Sequence, residues 1–242
     1  MDTYELQVLK EVTVWQRAMA KKPGYFNRLS KKVQDKVNKI IPERVHKAIT
    51  TAIKQMFRVV LFGSKITTAN ARPEGSLELR EAIVLEKIKF YKNTAAAEGG
   101  ITGAGGILLG LADFPLLLAI KIKLLFEIAS VYGFHTSDYK ERLFLLYIFQ
   151  LAFCSGERRN EIYRKIEDWE NISRHLPEDI HQFDWRTFQQ EYRDYIDLAK
   201  MAQLVPVIGA PVGALVNFRL ITKLGKTAMN CYRMRWQKLL TQ

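Results

Sequence analysis

Apolar residues recur at helical spacing along most of the chain, and no run alternates apolar and polar positions between hairpin turns. The first stripe lies between residues 4 and 20 and consists of Leu6, Leu9, Val12, Trp15 and Met19. Because a period of about 3.6 residues brings these positions to one side of a helix, the pattern predicts an all-α fold, a helical bundle.

Two more stripes follow before residue 63, the first broken by Pro42 and the second ended by Gly63. Amphipathic helices of this kind either pack on a core or lie on a membrane surface. The apolar positions are Leu29, Val33, Val37, Ile40 and Ile41 in the first stripe, and Val45, Ile49, Ile53, Met56, Phe57 and Val60 in the second.

A loop separates this region from the rest of the chain. Residues 64–76 are rich in Ser, Thr, Asn, Pro and Gly, and Ser76 is expected to cap a helix running from Leu77 towards Ala97. Beyond residue 133 the pattern predicts an apolar helix ending near Gly156, two charged helices separated by a turn at Pro177, and a final apolar segment with a basic end.

The stretch EGGITGAGGILLGLADFPLLLAIKIKLLFEIA, residues 98–129, combines many glycines with a long apolar run. A phosphate-binding P-loop needs Lys and then Ser or Thr after its last glycine, whereas this chain has Gly106 and Ile107 there. A dinucleotide-binding loop needs a third glycine where Leu108 stands and a strand before it. Both kinds of nucleotide site are therefore excluded at this stretch.

The same stretch is close to the length of a membrane span, but Asp113 lies in its middle. A central Asp costs about 2.5–3.5 kcal/mol on insertion, and each Leu or Ile returns only about 0.3–0.6 kcal/mol. We therefore expect a helical hairpin, with a turn at residues 112–115, Asp113 as the cap of its second helix and Pro115 in the first turn. On that helix Lys123 and Glu127 form an i,i+4 pair.

Two Gly-xxx-Gly steps, Gly106/Gly110 and Gly209/Gly213, occur in the apolar segments. Each is followed shortly by a polar residue and Phe, which suggests a weak repeat of two apolar helical elements. Glycines four residues apart allow close approach of two helix backbones, in protein interiors as well as in lipid. The hairpin-like elements are thus expected either to form the core or to contact a membrane.

Positive charge is concentrated in one region of the chain. The net charge is +12, and residues 17–58 contain twelve Lys and Arg against two acids. Such a region binds anionic headgroups or nucleic acid, or is a solvated helix face. The basic residues proposed to contact anionic lipid are Lys31, Lys32, Lys36, Lys39, Arg44 and Lys47.

Few residues indicate catalysis or metal binding. Cys154 and Cys231 have no zinc-type spacing and are expected to be reduced core thiols, as suits a cytosolic protein. No metal, cofactor or catalytic residue is predicted. The acids of the apolar hairpin, Glu98, Asp113 and Glu127, leave open a soluble enzyme or small-molecule binder with a site around Asp113, Lys123 and Glu127.

The hairpin motif, the later block VPVIGAPVGALVNFRLITKLGKTA and the N-terminal segment LSKKVQDKVNKIIPERVHKAIT together resemble the EcsC family over nearly the whole chain. The resemblance implies a single EcsC-like domain over residues 1–242, with a basic region (1–63) and a helical core (77–242). Its motif residues, which are the candidate functional positions, are Glu98, Gly99, Gly103, Asp113, Pro115, Lys123, Glu127, Gly133, Pro206, Gly209, Gly213 and Asn217.

In bacteria the gene of that family accompanies those of the Ecs ABC transporter, which is connected with protein secretion. The resemblance therefore implies a non-enzymatic accessory protein whose partners are the transporter subunits and an anionic membrane surface. We expect it to be cytoplasmic and peripheral at the inner face of the cell membrane. Nucleic acid is not an expected partner, because the basic stretch has few aromatic residues and no recognition motif. The sequence does not define an oligomeric state.

Overall fold

A computed structural model of the chain describes residues 2–21, 43–62, 75–104, 106–154, 156–184, 186–188 and 210–240. For some of them, including residues 99–113 and 210–213, only the backbone is described. The helices are α1 (Thr3–Ala20), α2 (Glu43–Phe62), α3 (Leu77–Ala104), α4 (Gly106–Val131), α5 (Tyr139–Phe153), α6 (Gly156–Glu167), α7 (Trp169–Arg174) and α8 (Ala210–Leu240), with a 3-10 turn at Ile180–Gln182. Among the described elements the all-α prediction is confirmed.

The predicted Ser76 cap is confirmed, and the first helix begins with a cap that was not predicted. Asp2 caps α1, since its carboxylate accepts from the Glu5 backbone N–H and the Glu5 side chain accepts from the Asp2 N–H. At the start of α3 the Ser76 hydroxyl accepts from the Leu79 N–H at 3.3 Å. The stripe predicted at residues 29–41 and the loop at residues 64–74 lie outside the described residues.

The predicted hairpin turn at residues 112–115 is wrong. The α4 helix runs without interruption from Gly106 to Val131 and contains Pro115 in its interior, so Asp113 does not begin a helix. The α3 helix also continues past Ala97 through the glycines to Ala104. Pro115 is the tenth residue of this 26-residue helix, where proline removes one backbone hydrogen bond. The helix tolerates this loss because neighbouring helices stabilise α4.

Three long helices form the centre of the fold. The α3 and α4 helices pack antiparallel. Arg80 contacts Val131, and Tyr91, further along α3, contacts Glu127, which lies earlier on α4. The α8 helix runs antiparallel to α3 and parallel to α4. The hairpin is therefore real, but α3 and α4 are its arms, and its end lies at the junction of Ala104 and Gly106.

A close approach between α3 and α8 occurs at Gly225. A Cβ atom at this position would lie 2.5 Å from Ile88 Cγ1 and 2.6 Å from Ile88 Cδ1. Only a residue without a side chain fits against Ile88 at this separation of the two helices. Neither Gly-xxx-Gly step predicted for close packing can be compared with it, since the environment of residues 99–113 and 209–213 is outside the description.

The remaining helices cover this centre. The α1 helix packs on α8, α6 and α3, while α2 packs on α4 and α5. Val8 and Val12 of α1, and Ile53, Met56 and Phe57 of α2, are all buried. Within the described part of the chain, no helix is both long enough and apolar enough to cross a membrane.

Candidate functional site

The glycine-rich end of the bundle is where the end of α3 meets the beginnings of α4 and α8. We define it by residues 98–120 and 210–218. It contains only two charged residues in those ranges, Glu98 and Asp113, and the whole of 210–218 is uncharged. Glu98 is half-buried on α3, and the side chain of Asp113 lies outside the description.

Large apolar side chains are exposed at this end. Leu116 on α4 and Leu215 on α8 are about half exposed, at 48% and 49%, and Phe218 is exposed one turn further along α8. The ammonium of Lys92 lies over the Phe218 ring, 4.7 Å from its centroid. The glycine-rich end therefore offers apolar surface with a cation at its border.

A lysine is completely buried beside this end, between α4 and α8. Lys121 has no exposed surface, and its Nζ donates to the Leu117 carbonyl at 3.1 Å and to Asn217 Oδ1 at 3.2 Å. Both acceptors are uncharged. Burial lowers the Lys121 pKa from 10.5 to about 7, because an ammonium loses its hydration in an apolar core. Two donated hydrogen bonds also match the two N–H groups of a neutral amine.

Asn217 was among the predicted positions, whereas its partner Lys121 was not. The segment KIK within an apolar helix is the sequence pattern that could have identified Lys121 as a buried lysine. Residues two apart on a helix project about 200° from each other, so Lys121 and Lys123 cannot both face solvent when one side of α4 packs on α8.

The predicted Lys123–Glu127 pair is confirmed, with 3.8 Å between Lys123 Nζ and Glu127 Oε1. Glu127 has two nearer partners on α3: Lys87 Nζ at 3.0 Å and the Tyr91 hydroxyl, which donates at 2.7 Å. Burial, reinforced by the hydrogen bond and charge of Glu127, raises the Tyr91 pKa above its ordinary value. Two lysines thus share one carboxylate, and the trio carries a net charge of +1.

An apolar groove lies between α2 and α4. Its volume is about 370 Å³, within the ~300–1,000 Å³ range of small-molecule pockets. Gln55 and Lys123 are the polar residues of its lining, and Glu127 is not part of it. The apolar lining includes Ala52, Met56 and Val60 from α2, and Pro115, Leu118 and Ile122 from α4.

The opposite end of the bundle, which we call the charged end, is built on a buried carboxylate. Glu81 accepts hydrogen bonds from Arg233 Nε at 2.7 Å, from the Tyr132 hydroxyl at 3.0 Å and from the Tyr4 hydroxyl at 2.7 Å. Burial and the adjacent Glu81 raise the Tyr4 pKa to about 12. The network joins α1, α3 and α8 to the end of α4.

A second carboxylate network involves Tyr232 and Arg235, the α8 residues on either side of Arg233 in the sequence. Glu141 of α5 accepts from Arg235 Nη1 and the Tyr232 hydroxyl, both at 2.6 Å. The Arg235 guanidinium also lies 3.8 Å from the centroid of the Phe134 ring. Although burial raises the Glu141 pKa, the Arg235 charge opposes that shift. Neither network was predicted from the sequence, because the hydrogen-bonded partners lie 51–152 positions apart in the chain.

The backbone conformation at position 133 explains why this family-motif residue is glycine. Gly133 has φ +93°, and it ends α4 with hydrogen bonds from its own N–H to the Ser130 carbonyl and from the Phe134 N–H to the Ala129 carbonyl. This is a Schellman arrangement, in which the left-handed position strongly favours glycine. Gly133 therefore stabilises a helix end.

Several predicted positions lie outside the description. Lys31, Lys32, Lys36, Lys39, Pro206 and Gly209 are not described. Gly99 and Gly103 are on α3, Gly213 is on α8, and Arg44 is on α2 without a described side chain. Lys47 is exposed on α2. Among the described residues, no group of three or more His, Cys, Asp or Glu could hold a metal.

Comparison with known proteins identifies the family. The model of the EcsC protein family matches residues 6–236. The chain belongs to the EcsC family. It is 45% identical to Protein EcsC of Bacillus subtilis (strain 168) over 230 residues, which cover 94% of each chain. No solved structure matches it.

A second Bacillus subtilis protein of this similarity group, named "Uncharacterized protein YdbA", is 27% identical over 251 residues, covering 95% of this chain and 91% of YdbA. Both similarities extend over almost the whole length, and the family match over residues 6–236 includes the glycine-rich end and the carboxylates Glu81 and Glu141 of the charged end.

Proposed function

We propose that this member of the EcsC family is a non-enzymatic accessory protein that binds the cytoplasmic face of the membrane and assists an ABC transporter connected with protein secretion. The glycine-rich end would contact the acyl boundary of the bilayer, and basic side chains would contact anionic headgroups. The observation that carries the proposal is the exposed apolar surface of Leu116, Leu215 and Phe218 at an end of the bundle that has almost no charge.

The basic surface supports the same orientation. The α2 helix packs on α4 along the groove that includes Pro115 of the glycine-rich end, and it exposes Lys47, Lys54 and Arg58. Each Lys or Arg near an anionic membrane contributes about 1 kcal/mol of binding free energy. Apolar contact and several cations together bind more strongly than either alone, as in amphipathic membrane anchors.

Co-sedimentation with vesicles tests the membrane part. Vesicles containing phosphatidylglycerol should bind the protein, and binding should weaken in pure phosphatidylcholine and at high salt. The variant Lys47→Gln/Lys54→Gln/Arg58→Gln should bind at least tenfold more weakly. The matched control Arg164→Gln/Arg174→Gln/Lys226→Gln removes the same charge elsewhere and should retain most of the affinity. Equal losses in the two variants would contradict a specific basic surface.

The transporter part rests on the family resemblance and needs its own experiment. Photo-crosslinkers placed at Leu116 and Leu215 should link the protein in cells to a subunit of the Ecs-type ABC transporter. A crosslinker at Leu79, exposed at the charged end, is the control. Membrane binding without any transporter crosslink from the glycine-rich end would remove the accessory role while leaving the membrane role standing.

A further inference from the structure

The groove between α2 and α4 has the chemistry of a hydrocarbon-chain site. Ala52, Met56, Val60, Leu118 and Ile122 form its buried walls. None of these side chains has a hydrogen-bond donor or a strong acceptor, so a sugar or nucleotide placed against them would leave its polar groups unpaired, at a cost of roughly 1–3 kcal/mol each. An unbranched apolar chain has no such groups to leave unpaired.

The border of the groove adds a positive charge. Lys123 lines it together with the Gln55 amide, and Lys123 belongs to the Lys87–Glu127–Lys123 trio of net charge +1. An anionic head on the ligand complements that net charge, whereas a cationic head is opposed by it. Because Lys123 is about one-third exposed, a head group there can remain partly hydrated.

The groove also opens close to the apolar surface of the protein. Pro115 is part of its lining, and the next residue on α4, Leu116, is half exposed at the glycine-rich end. Val59 and Ala119, on opposite sides of the groove, are both exposed and leave it open to ligand entry.

We propose that the α2–α4 groove binds one acyl chain with an anionic head, with the chain against Met56, Leu118 and Ile122 and the head at Lys123. The fatty-acid carboxylate and the lysophospholipid phosphate share this chemistry. The site goes beyond the membrane proposal and does not depend on it, since a monomeric ligand can be bound from solution without a bilayer.

Binding of the fluorescent fatty acid cis-parinarate to the full chain, below the concentration at which the probe forms micelles, tests the site. One equivalent should bind. Ala119→Trp and Val59→Trp, which fill the groove from opposite walls at exposed positions, should each weaken binding at least tenfold. Ala97→Trp, at an exposed position of α3 outside the groove, should change it less than twofold. Circular dichroism of each variant verifies folding.

Competition assigns the head group and its source. Dodecanoate should displace the probe better than dodecanol, and this preference should disappear in Lys123→Met and return in Lys123→Arg. Displacement by lysophosphatidylglycerol at lower concentration than dodecanoate would identify a lipid source, and the reverse order a free fatty acid. Absence of binding, or equal binding by Ala119→Trp and Ala97→Trp, would overturn the proposal. Vesicle binding by a chain that binds no parinarate would overturn the groove alone.

Discussion

The two ends of the three-helix centre bury cations in opposite ways. At the charged end Arg233 faces the Glu81 carboxylate and Arg235 faces the Glu141 carboxylate. Beside the glycine-rich end Lys121 has only a backbone carbonyl and the Asn217 amide as acceptors in the described part of the chain. The charged end therefore stabilises its charges by pairing them. At Lys121, burial without a counter-charge favours the neutral amine over the ammonium.

This difference explains how one bundle can serve two purposes. The two buried ion pairs and their tyrosine partners fix the positions of α1, α3, α5 and α8, since removing one member of a buried ion pair leaves the other charge unpaired in a dry environment. An end with little charge can present apolar side chains without desolvating ions when it meets a lipid surface. In the proposed function the charged end supplies the structural support, and the glycine-rich end makes the contact with lipid.

The largest effect is expected from a variant that breaks an ion pair of the charged end. Arg233→Met should lower the free energy of unfolding by about 3–5 kcal/mol, because Glu81 stays buried without its counter-charge. Urea denaturation followed by circular dichroism measures the loss. The control is Arg164→Met, which breaks the exposed Arg164–Glu167 pair and should cost less than about 0.5 kcal/mol. A similar cost for both variants would mean that burial of the ion pair does not matter.

The pH dependence of stability sharpens the contrast at Lys121. Its pKa is about 7 in the folded protein and 10.5 as the ordinary value, so between these pH values the unfolded chain binds more protons. Stability should therefore rise with pH through this window, by up to about 1.4 kcal/mol per pH unit. Lys121→Met should be more stable than the parent near pH 7, and the difference should shrink towards pH 9.

The measurement ends at pH 9 because burial raises the pKa of the Cys231 thiol above its ordinary value of 9.0. At higher pH the thiol would ionise in the unfolded chain but not in the folded protein, and this would lower the stability. Subtracting the Lys121→Met curve from that of the parent cancels this and all other shared titrations. A parent and variant with parallel pH profiles would show that Lys121 remains an ammonium in the folded protein.

Between the two ends, the close approach of α3 and α8 gives a somewhat smaller effect. Gly225→Ala should cost about 1–3 kcal/mol, since the added Cβ would overlap Ile88. The double variant Gly225→Ala/Ile88→Ala removes the overlapping atoms and should cost clearly less than the two single changes added together. Strict additivity in denaturation experiments would contradict a direct clash.

The smallest effect on folding is expected at the glycine-rich end. Leu215→Gln changes a half-exposed residue and should alter the free energy of unfolding by less than about 0.5 kcal/mol. Its affinity for phosphatidylglycerol vesicles should nevertheless fall several-fold, because an apolar contact with lipid is lost. Strong destabilisation together with unchanged vesicle binding would reverse the assignment of this end.

Local patterns were enough to predict much of the fold. The α1 and α2 helices, the Ser76 cap and the Lys123–Glu127 pair depend on residues a few positions apart, which a sequence displays directly. The turn at residues 112–115 was mispredicted because Asp113 and Pro115 resemble a helix start, and only packing of α4 against α2, α3 and α8 reveals that the helix continues.

The candidate site was less predictable than the fold, because tertiary packing brings together residues that are distant in the sequence. Asn217 was selected by resemblance, but its partner Lys121 lies 96 positions away. The Glu81 and Glu141 networks and the α2–α4 groove likewise depend on residues brought together by tertiary packing. A sequence indicates which residues are unusual in their local surroundings, but the partners that explain them are set by helix register.

A matched pair of labels tests the central claim most directly. Leu79→Cys and Leu215→Cys replace leucines of similar exposure, 56% and 49%, at opposite ends of the bundle. The native cysteines are both buried, so an environment-sensitive NBD label reports the introduced positions. With phosphatidylglycerol vesicles carrying doxyl-labelled lipids, the label at 215 should shift to the blue and be quenched, while that at 79 should remain unchanged. Equal responses at both positions, or a response at 79 alone, would contradict contact through the glycine-rich end.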